Sequence, residues 1–368
     1  MPTTVTENTL LTQAKDAARL AQKLGADDAR VGVSRSRGVE VEWRDGRLER
    51  VQERTRRGLS VEIFVDGRYA AMSTNDLRPS AVEDDSGESA RVHTNGFEGV
   101  RQGTHFSRSV QVTLIDRDGR RPMGWAYTVR RHQAELEATE AIVDHARDMA
   151  LRQLGAGKLA TGKYTLVVDR QSVPRLLGAF LGPLSGAALQ QKRSLWDGKL
   201  GERIASPLLT IVDEPHLIRG LGSALWDGDG FATRRRAIIE AGVLKTYLID
   251  DYYARKMGVE PTGGSTHNFE WALGTRDADG LVADVGEGVY IDRFLGGNSN
   301  GTTGEISMGC AGRVIRGGRL CEPVAEVNLA GHFGEIWQAL VAVGNDPDPN
   351  SSAASPTCVF EGIQLSGV

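Results

Sequence analysis

The feature that most constrains this chain is a recurring pair of turn residues set between alternating segments. Asp45-Gly46 sits inside "GVEVEWRDGRLERVQE" (38–53), and Asp66-Gly67 inside "GLSVEIFVDGRYAAMST" (58–74). Asp118-Gly119 lies within "SVQVTLIDRDGRRPMGWAYTVR" (109–130). Ala241-Gly242 divides "RRAIIEAGVLKTYLID" (235–250), and Gly317-Gly318 divides "GRVIRGGRLCEPVAEVNLAG" (312–331). Two-residue turns of this kind match the twist of antiparallel strands, and alternation on either side turns one face inward. Such devices spread along 368 residues predict antiparallel sheet in both halves of the chain.

Helices punctuate the pattern. Residues 8–24, "NTLLTQAKDAARLAQKL", place Leu11, Ala14, Ala18 and Ala21 on one face, with Gly25 as the stop. The strand "ARVGVSRS" (29–36) follows, so the N-terminal unit reads as a helix laid on an antiparallel meander. "RPSAVEDDSGESA" (78–90) is polar, carries Pro and Gly, and reads as a junction. A helix is expected from about 133 to 154, ending at Gly155, and "GAGKLATGK" (155–163) reads as the domain boundary. The expected domains are therefore 1–160, α+β, and 161–368, β-rich with a few helices. The fold class is α+β. Within the second domain, "PTGGSTHNF" (261–269) and "LGGNSNGTTGE" (295–305) read as Gly-rich loops, and "GEIWQALVAVG" (334–344) as a short amphipathic helix.

One helix is unusual. After the strand "YTLVVD" (164–169), Ser172 and Pro174 stand where a helix starts, as a capping hydroxyl and a first-turn ring. In "LLGAFLGPLSG" (176–186), Leu176, Leu177, Phe180, Leu181 and Leu184 recur at helical spacing. Gly178, Gly182 and Gly186 fall every four residues, with Pro183 among them. None of these side chains can serve as acid, base or metal ligand.

Net charge is −4, which disfavours bulk nucleic-acid binding, and the basic runs "RTRR" (54–57) and "TRRR" (233–236) read as solvated faces. The three cysteines, Cys310, Cys321 and Cys358, form no CxxC pair and suit a reducing compartment. The start, "MPTTVTENTL", lacks the basic and apolar regions of a signal peptide, and no run is apolar enough to span a bilayer. The expectation is a soluble, cytoplasmic protein.

The seven His are scattered and form no HExxH. His332 and Glu335 in "HFGE" share a helix face but do not make a site. "GNSNG" (297–301) matches GxSxG formally, yet "TTGE" follows where a nucleophile elbow needs a helix. "WDGDGF" (226–231) and "NDPDPN" (345–350) lack the remaining ligands of a calcium loop and read as turn chemistry. "STHNFE" (265–270) has two readings: a capping turn with an ordinary histidine, or a cleft lining in which His267 and Asn268 follow two glycines.

The segment "IVDEPHLIRGLGSALWDGDGFATRRRAIIEAGVLKTYLIDDYYARKMGVEPTGGSTHN" (211–268) closely resembles the TldD/PmbA family. "LGADDARVGVSRSRGVEVEWRDGRLERVQERTRRGLSVEIFVDGRYAAMSTNDL" (24–77) is similar to the family's N-terminal domain, and "LVAVGND" (340–346) to its closing segment. The resemblance implies one of two homologous chains that together enclose a cavity where unstructured peptides are cut. The TldD type carries HExxxH on the helix after the first strand of its C-terminal domain, with a Cys nearer the C-terminus as a further zinc ligand. Laid on this chain, the HExxxH positions fall on Leu177, Gly178 and Gly182, and Cys358 lies in the region of the further ligand. The resemblance therefore implies the PmbA/TldE type, with no catalytic residue, no metal site and no cofactor of its own, and zinc in a TldD-type partner. The candidate peptide-cleft residues are Gly263, Gly264, His267, Asn268 and Arg255. The chain departs from the family in one respect: the longer, largely helical insert usual after the meander is reduced to 78–90. Two alternatives stay open. One is a self-sufficient metallopeptidase using His267, His332 and Cys358. The other is a binding protein that modulates a DNA-associated target such as gyrase.

Overall fold

Alternation and turn chemistry organise the chain as the sequence predicts, with corrections at several boundaries. A computed structural model describes residues 9–23, 26–44, 47–65, 68–72, 82–94, 96–114, 116–117 and 119–367. The turns Asp45-Gly46 and Asp66-Gly67, residue Asp118, Gly25 and residues 78–81 lie outside the described residues. The chain divides into two compact units, one of residues 1–111 and 125–145, the other of 112–124 and 146–368. The fold is α+β, mostly strand, with antiparallel sheets and a β-rich C-terminal region.

The first unit holds α1 (Thr9–Lys23), β1 (Asp28–Arg44), β2 (Arg47–Val65), β3 (Arg68–Met72), β4 (Val82–His93), most of β5 (Glu98–Thr113) and β6 (Met123–Arg130), and the start of α2 (Thr139–Leu151). The sheet order is β3-β2-β1-β4-β5-β6. Leu10, Ala14 and Ala18 of α1 pack on Val31 and Val33 of β1 and Ala90 and Val92 of β4, so the helical and two-residue periods meet in one small core. The expected junction at 78–90 is corrected: from Val82 onward it is strand, paired with both β1 and β5. Its polarity misled because polar and charged residues stand where apolar alternation would mark a strand. Arg35 stands opposite Glu88, and the Gln102 amide on β5 donates to the Glu88 carboxylate at 3.1 Å. The helix expected over 133–154 is also shorter. Residues Gln133–Glu135 make one 3₁₀ turn, Leu136 is extended, and the α-helix runs only from Thr139 to Leu151.

The second unit continues with β7 (Gly162–Val168), α3 (Val173–Leu181), α4 (Gly186–Gln190), β8 (Ile211–Glu214), β9 (Arg236–Glu240), β10 (Val243–Leu244), α5 (Asp251–Met257), β11 (Asn268–Trp271) and α6 (Ala278–Val285). β12 (Gly288–Ser299), β13 (Glu305–Arg316), β14 (Arg319–His332), α7 (Phe333–Gln338), β15 (Leu340–Val343) and β16 (Cys358–Ser366) complete it. The large sheet runs β14-β13-β12-β7-β16-β15, and a further β14–β16 pairing closes five of its strands on themselves. Closure reduces the open edge that would invite unwanted pairing, with β15 left at the rim. A smaller antiparallel sheet has the order β10-β9-β8-β11. Ala241-Gly242 (φ 47° and 77°) and Gly317-Gly318 (φ 53° and 69°) make the left-handed hairpin turns the sequence predicts.

Two more boundaries differ from expectation. The expected loop at 295–305 is mostly hairpin: β12 continues to Ser299 and β13 starts at Glu305, with a register shift at Phe294/Gly296 that absorbs the glycines. The expected helix 334–344 ends at Gln338, and Leu340–Val343 alternate as a strand paired with β16.

Candidate functional site

α3 connects directly to the first strand of the large sheet. The Asp169 carbonyl accepts the amides of Ser172 and Val173, at 2.7 and 3.0 Å, and starts the helix. Pro174 occupies the first turn as expected, but the Ser172 hydroxyl does not cap. It donates instead to the Asp292 carbonyl, at 2.8 Å, and ties the helix start to the β12 strand. Val173, Leu176, Leu177, Phe180 and Leu181 are all buried. Phe180 meets Trp196, Phe333 and Trp337 at ring distances of 5.1, 6.3 and 5.5 Å. Burying each such side chain contributes about 1.5–3 kcal/mol, whereas an interior glycine costs about 1 kcal/mol, so packing outweighs backbone cost.

The glycine repeat resolves into two different situations. Gly178 and Gly182 are exposed, and a Cβ on either would meet nothing within 4 Å. Gly186, past the 3₁₀ turn Gly182–Leu184 that accommodates Pro183, is buried, and a Cβ there would sit 2.8 Å from Tyr253 Cβ and 3.3 Å from Ile249 Cγ2. Gly186→Val is therefore expected to destabilise the protein by about 1–3 kcal/mol through overpacking. Gly178→Ala is expected to be neutral or to stabilise by up to about 1 kcal/mol. Urea unfolding of the two variants checks both signs.

The positions that resemblance assigns to metal binding do not fit a zinc ion. Leu177 is a buried hydrocarbon, 2% exposed, and Gly178 and Gly182 offer no side chain. The Cys358 thiol on β16 is fully buried, and burial, reinforced by Asp346, pushes its pKa up, away from the thiolate that zinc requires. Cys310 is likewise pushed up by burial, to about 11. Among the described residues no three His, Cys, Asp or Glu side chains are grouped to hold a metal, so His267, His332 and Cys358 are not assembled into a site.

A polar cavity of about 470 Å³ lies elsewhere in the same unit, within the size range of small-ligand sites. It is lined by the 227–234 segment, Arg236 at the start of β9 and the 260–267 loop, with Asp213 of β8 bonded behind Arg236 and His267. Ile211 and Asp213 share the inward face of β8, so the alternation buries a carboxylate completely. Asp213 Oδ1 accepts the His267 amide at 2.6 Å, and Oδ2 lies 3.1 Å from His267 Nδ1 and 3.2 Å from Arg236 Nε. Arg236 in turn donates to the carbonyls of Thr262, Gly263 and Ser265, so both terminal guanidinium nitrogens hold the loop while Nε holds Asp213. Burial lowers the Arg236 pKa and Asp213 opposes that shift. Gly263 has φ +92°, and a Cβ there would lie 2.9 Å from Arg236 Nη1, so the loop's close approach to the guanidinium requires glycine.

The five cleft residues named from sequence separate. Gly263 and His267 line the cavity, with Asp227, Phe231, Arg234 and Glu260. Gly264 packs against Asp250, whose Cβ lies 2.8 Å from where its own Cβ would be. Asn268 is buried and joins loops: its Oδ1 accepts the Gly222 amide, and its Nδ2 donates to the Glu214 carbonyl and Ser223 hydroxyl. Arg255 sits exposed on α5 and pairs with Asp251 at 3.0 Å. Asp213, Arg236 and Asp227 were missed. The run 233–236 reads as a solvated face, yet only 10% of the Arg236 side chain is exposed. The available signal was an aspartate at an inward strand position. Turn chemistry holds where it was expected: Asp227 Oδ1 accepts the amides of Asp229 and Phe231, and Asp348 Oδ1 that of Asn350. Ser299 ends a strand and is followed by a turn, so the formal GxSxG match is not an elbow.

Family models described as PmbA/TldA metallopeptidase domain 1 and C-terminal domain match residues 29–150 and 161–367. The chain belongs to the PmbA/TldD metallopeptidase family. It is 23% identical to Metalloprotease PmbA of Escherichia coli O157:H7, over 93% of each chain. It is 30% identical to a Metalloprotease TldD homolog of Haemophilus influenzae over 44% of this chain and 36% of that one. A crystal structure from Bacteroides thetaiotaomicron, named as a candidate modulator of DNA gyrase, matches with a TM-score of 0.91 and 33% identity, over 99% of this chain and 100% of that one. TldE from Thermococcus kodakarensis shares the fold, with a TM-score of 0.83, 17% identity, and coverage of 96% and 99%. No described helix of this family member is long and apolar enough to cross a membrane.

Proposed function

We propose that this chain is the non-catalytic, PmbA/TldE-like subunit of a heteromeric zinc metallopeptidase, completing a cavity and holding unstructured peptide for a TldD-type partner that carries the zinc. The observation that supports this reading is α3. It is well packed and complete as a helix, yet Leu177 faces the core while Gly178 and Gly182 present bare backbone. A helix kept in place without its ligands fits a scaffold role. The polar cavity around His267 is the candidate peptide-holding feature, and the TldD homologues among its relatives indicate the kind of partner.

The test is co-expression with a TldD-type chain from the same genome. The pair is expected to co-purify and to cut an unfolded peptide in a chelator-sensitive way, faster than the partner alone. Failure to co-purify, with equal cleavage by the partner alone, would contradict the proposal.

A further inference from the structure

Resting on the reading of this chain as a peptide-holding subunit, we propose that the cavity beside His267 is a subsite for a primary ammonium group, either a lysine side chain or the free amino end of an extended peptide. The buried donor of the cavity is already spent. Arg236 uses all three guanidinium nitrogens on Asp213 and the loop carbonyls. Besides the exposed Arg234, what remains along the lining is mainly acceptors. Asp213 Oδ2 accepts from His267 Nδ1, the tautomer of the neutral ring that places the lone pair on Nε2, and Nε2 is bonded to no described residue. The His267 side chain is 9% exposed, a nearly buried ring held in one orientation by a fully buried carboxylate.

Asp227 and Glu260 line the same space, and neither forms an ion pair among the described residues. Partial burial raises the Asp227 pKa, with Asp229 adding to the shift. The buried Arg236 and Asp213 offset each other, leaving two carboxylates against the exposed Arg234. An ammonium offers three N–H donors to these three acceptors, whereas a carboxylate would bring more acceptors and repulsion. Phe231 and Pro261 supply apolar wall on which a lysine stem can lie.

The test is fluorescence anisotropy of the full chain with C-terminally labelled, unstructured peptides of one sequence. One has an acetylated end and a single lysine, one a free end with norleucine for lysine, and one has both groups blocked. The ammonium-bearing peptides, or one of the two, should bind about tenfold more tightly than the doubly blocked one, the scale of one charge-assisted hydrogen bond. Which of the two binds identifies the source. Asp227→Asn and Glu260→Gln should each erase much of that difference, and Arg234→Ala should tighten binding. Equal binding of all three peptides overturns the ammonium subsite but leaves peptide holding intact. Weakening by Arg234→Ala, with preference for a glutamate-bearing peptide, overturns it in favour of an anion site. No binding of any peptide overturns this inference and the peptide-holding reading together.

Discussion

Asp213→Ala is expected to lower the free energy of unfolding by about 3–5 kcal/mol, the effect of leaving a buried charge without its partner. Arg236 is the charge in question: only 10% of its side chain is exposed, and Asp213 is fully buried beside it. The same substitution removes the acceptor for the His267 amide and for Nδ1, so the 258–267 loop loses its anchor at its C-terminal end. Against a usual total of about 5–15 kcal/mol, a loss of this size brings the domain close to unfolding at physiological temperature. Adding Arg236→Met to Asp213→Ala should recover part of the loss, because the unpaired cation is then gone. A double-mutant cycle by urea unfolding measures this coupling directly. A single-variant loss below about 1 kcal/mol would mean the pair behaves like a surface salt bridge, and the buried-clamp description would be wrong.

Restoring the HExxxH pattern, as Leu177→His with Gly178→Glu and Gly182→His, is expected to produce an unstable protein without stoichiometric zinc. Leu177 is one of five apolar side chains that fix α3 in the core, and replacing it by imidazole gives up about 2–5 kcal/mol of packing and desolvation. Positions 178 and 182 instead face open space, so the three new side chains would not converge. Thermal unfolding and metal analysis of the triple variant check both halves of this expectation. A variant that keeps wild-type stability and binds one zinc per chain would show that the site is only stripped of ligands, not reorganised.

The gross architecture was legible because it rests on local rules. Left-handed turn residues at Ala241-Gly242 and Gly317-Gly318 and the Ala14 and Ala18 stripe each specify structure within a few residues, although Leu10 rather than Leu11 is buried in that core. The errors occur where a distant partner decides. Residues 82–90 look like a linker until the arginine-bearing β1 strand is set opposite, and Leu340–Val343 continue a helical pattern until β16 claims them. The candidate site was half legible for the same reason. Gly263 and His267 stand in a visibly polar, glycine-rich loop, while the residues that hold that loop, Asp213 and Arg236, lie 23 positions apart on two strands. Nothing in "IVDE" or "TRRR" alone pairs them. The sequence also suggested a continuous glycine stripe at 178, 182 and 186, which the fold divides between open surface and a tight contact with α5.

The most direct test of the central claim is the metal content and peptidase activity of this chain purified alone. The account predicts substoichiometric zinc after a metal-replete preparation, and no chelator-sensitive cleavage of an unstructured peptide. One tightly held zinc per chain, with cleavage abolished by chelator and restored by zinc, would contradict it.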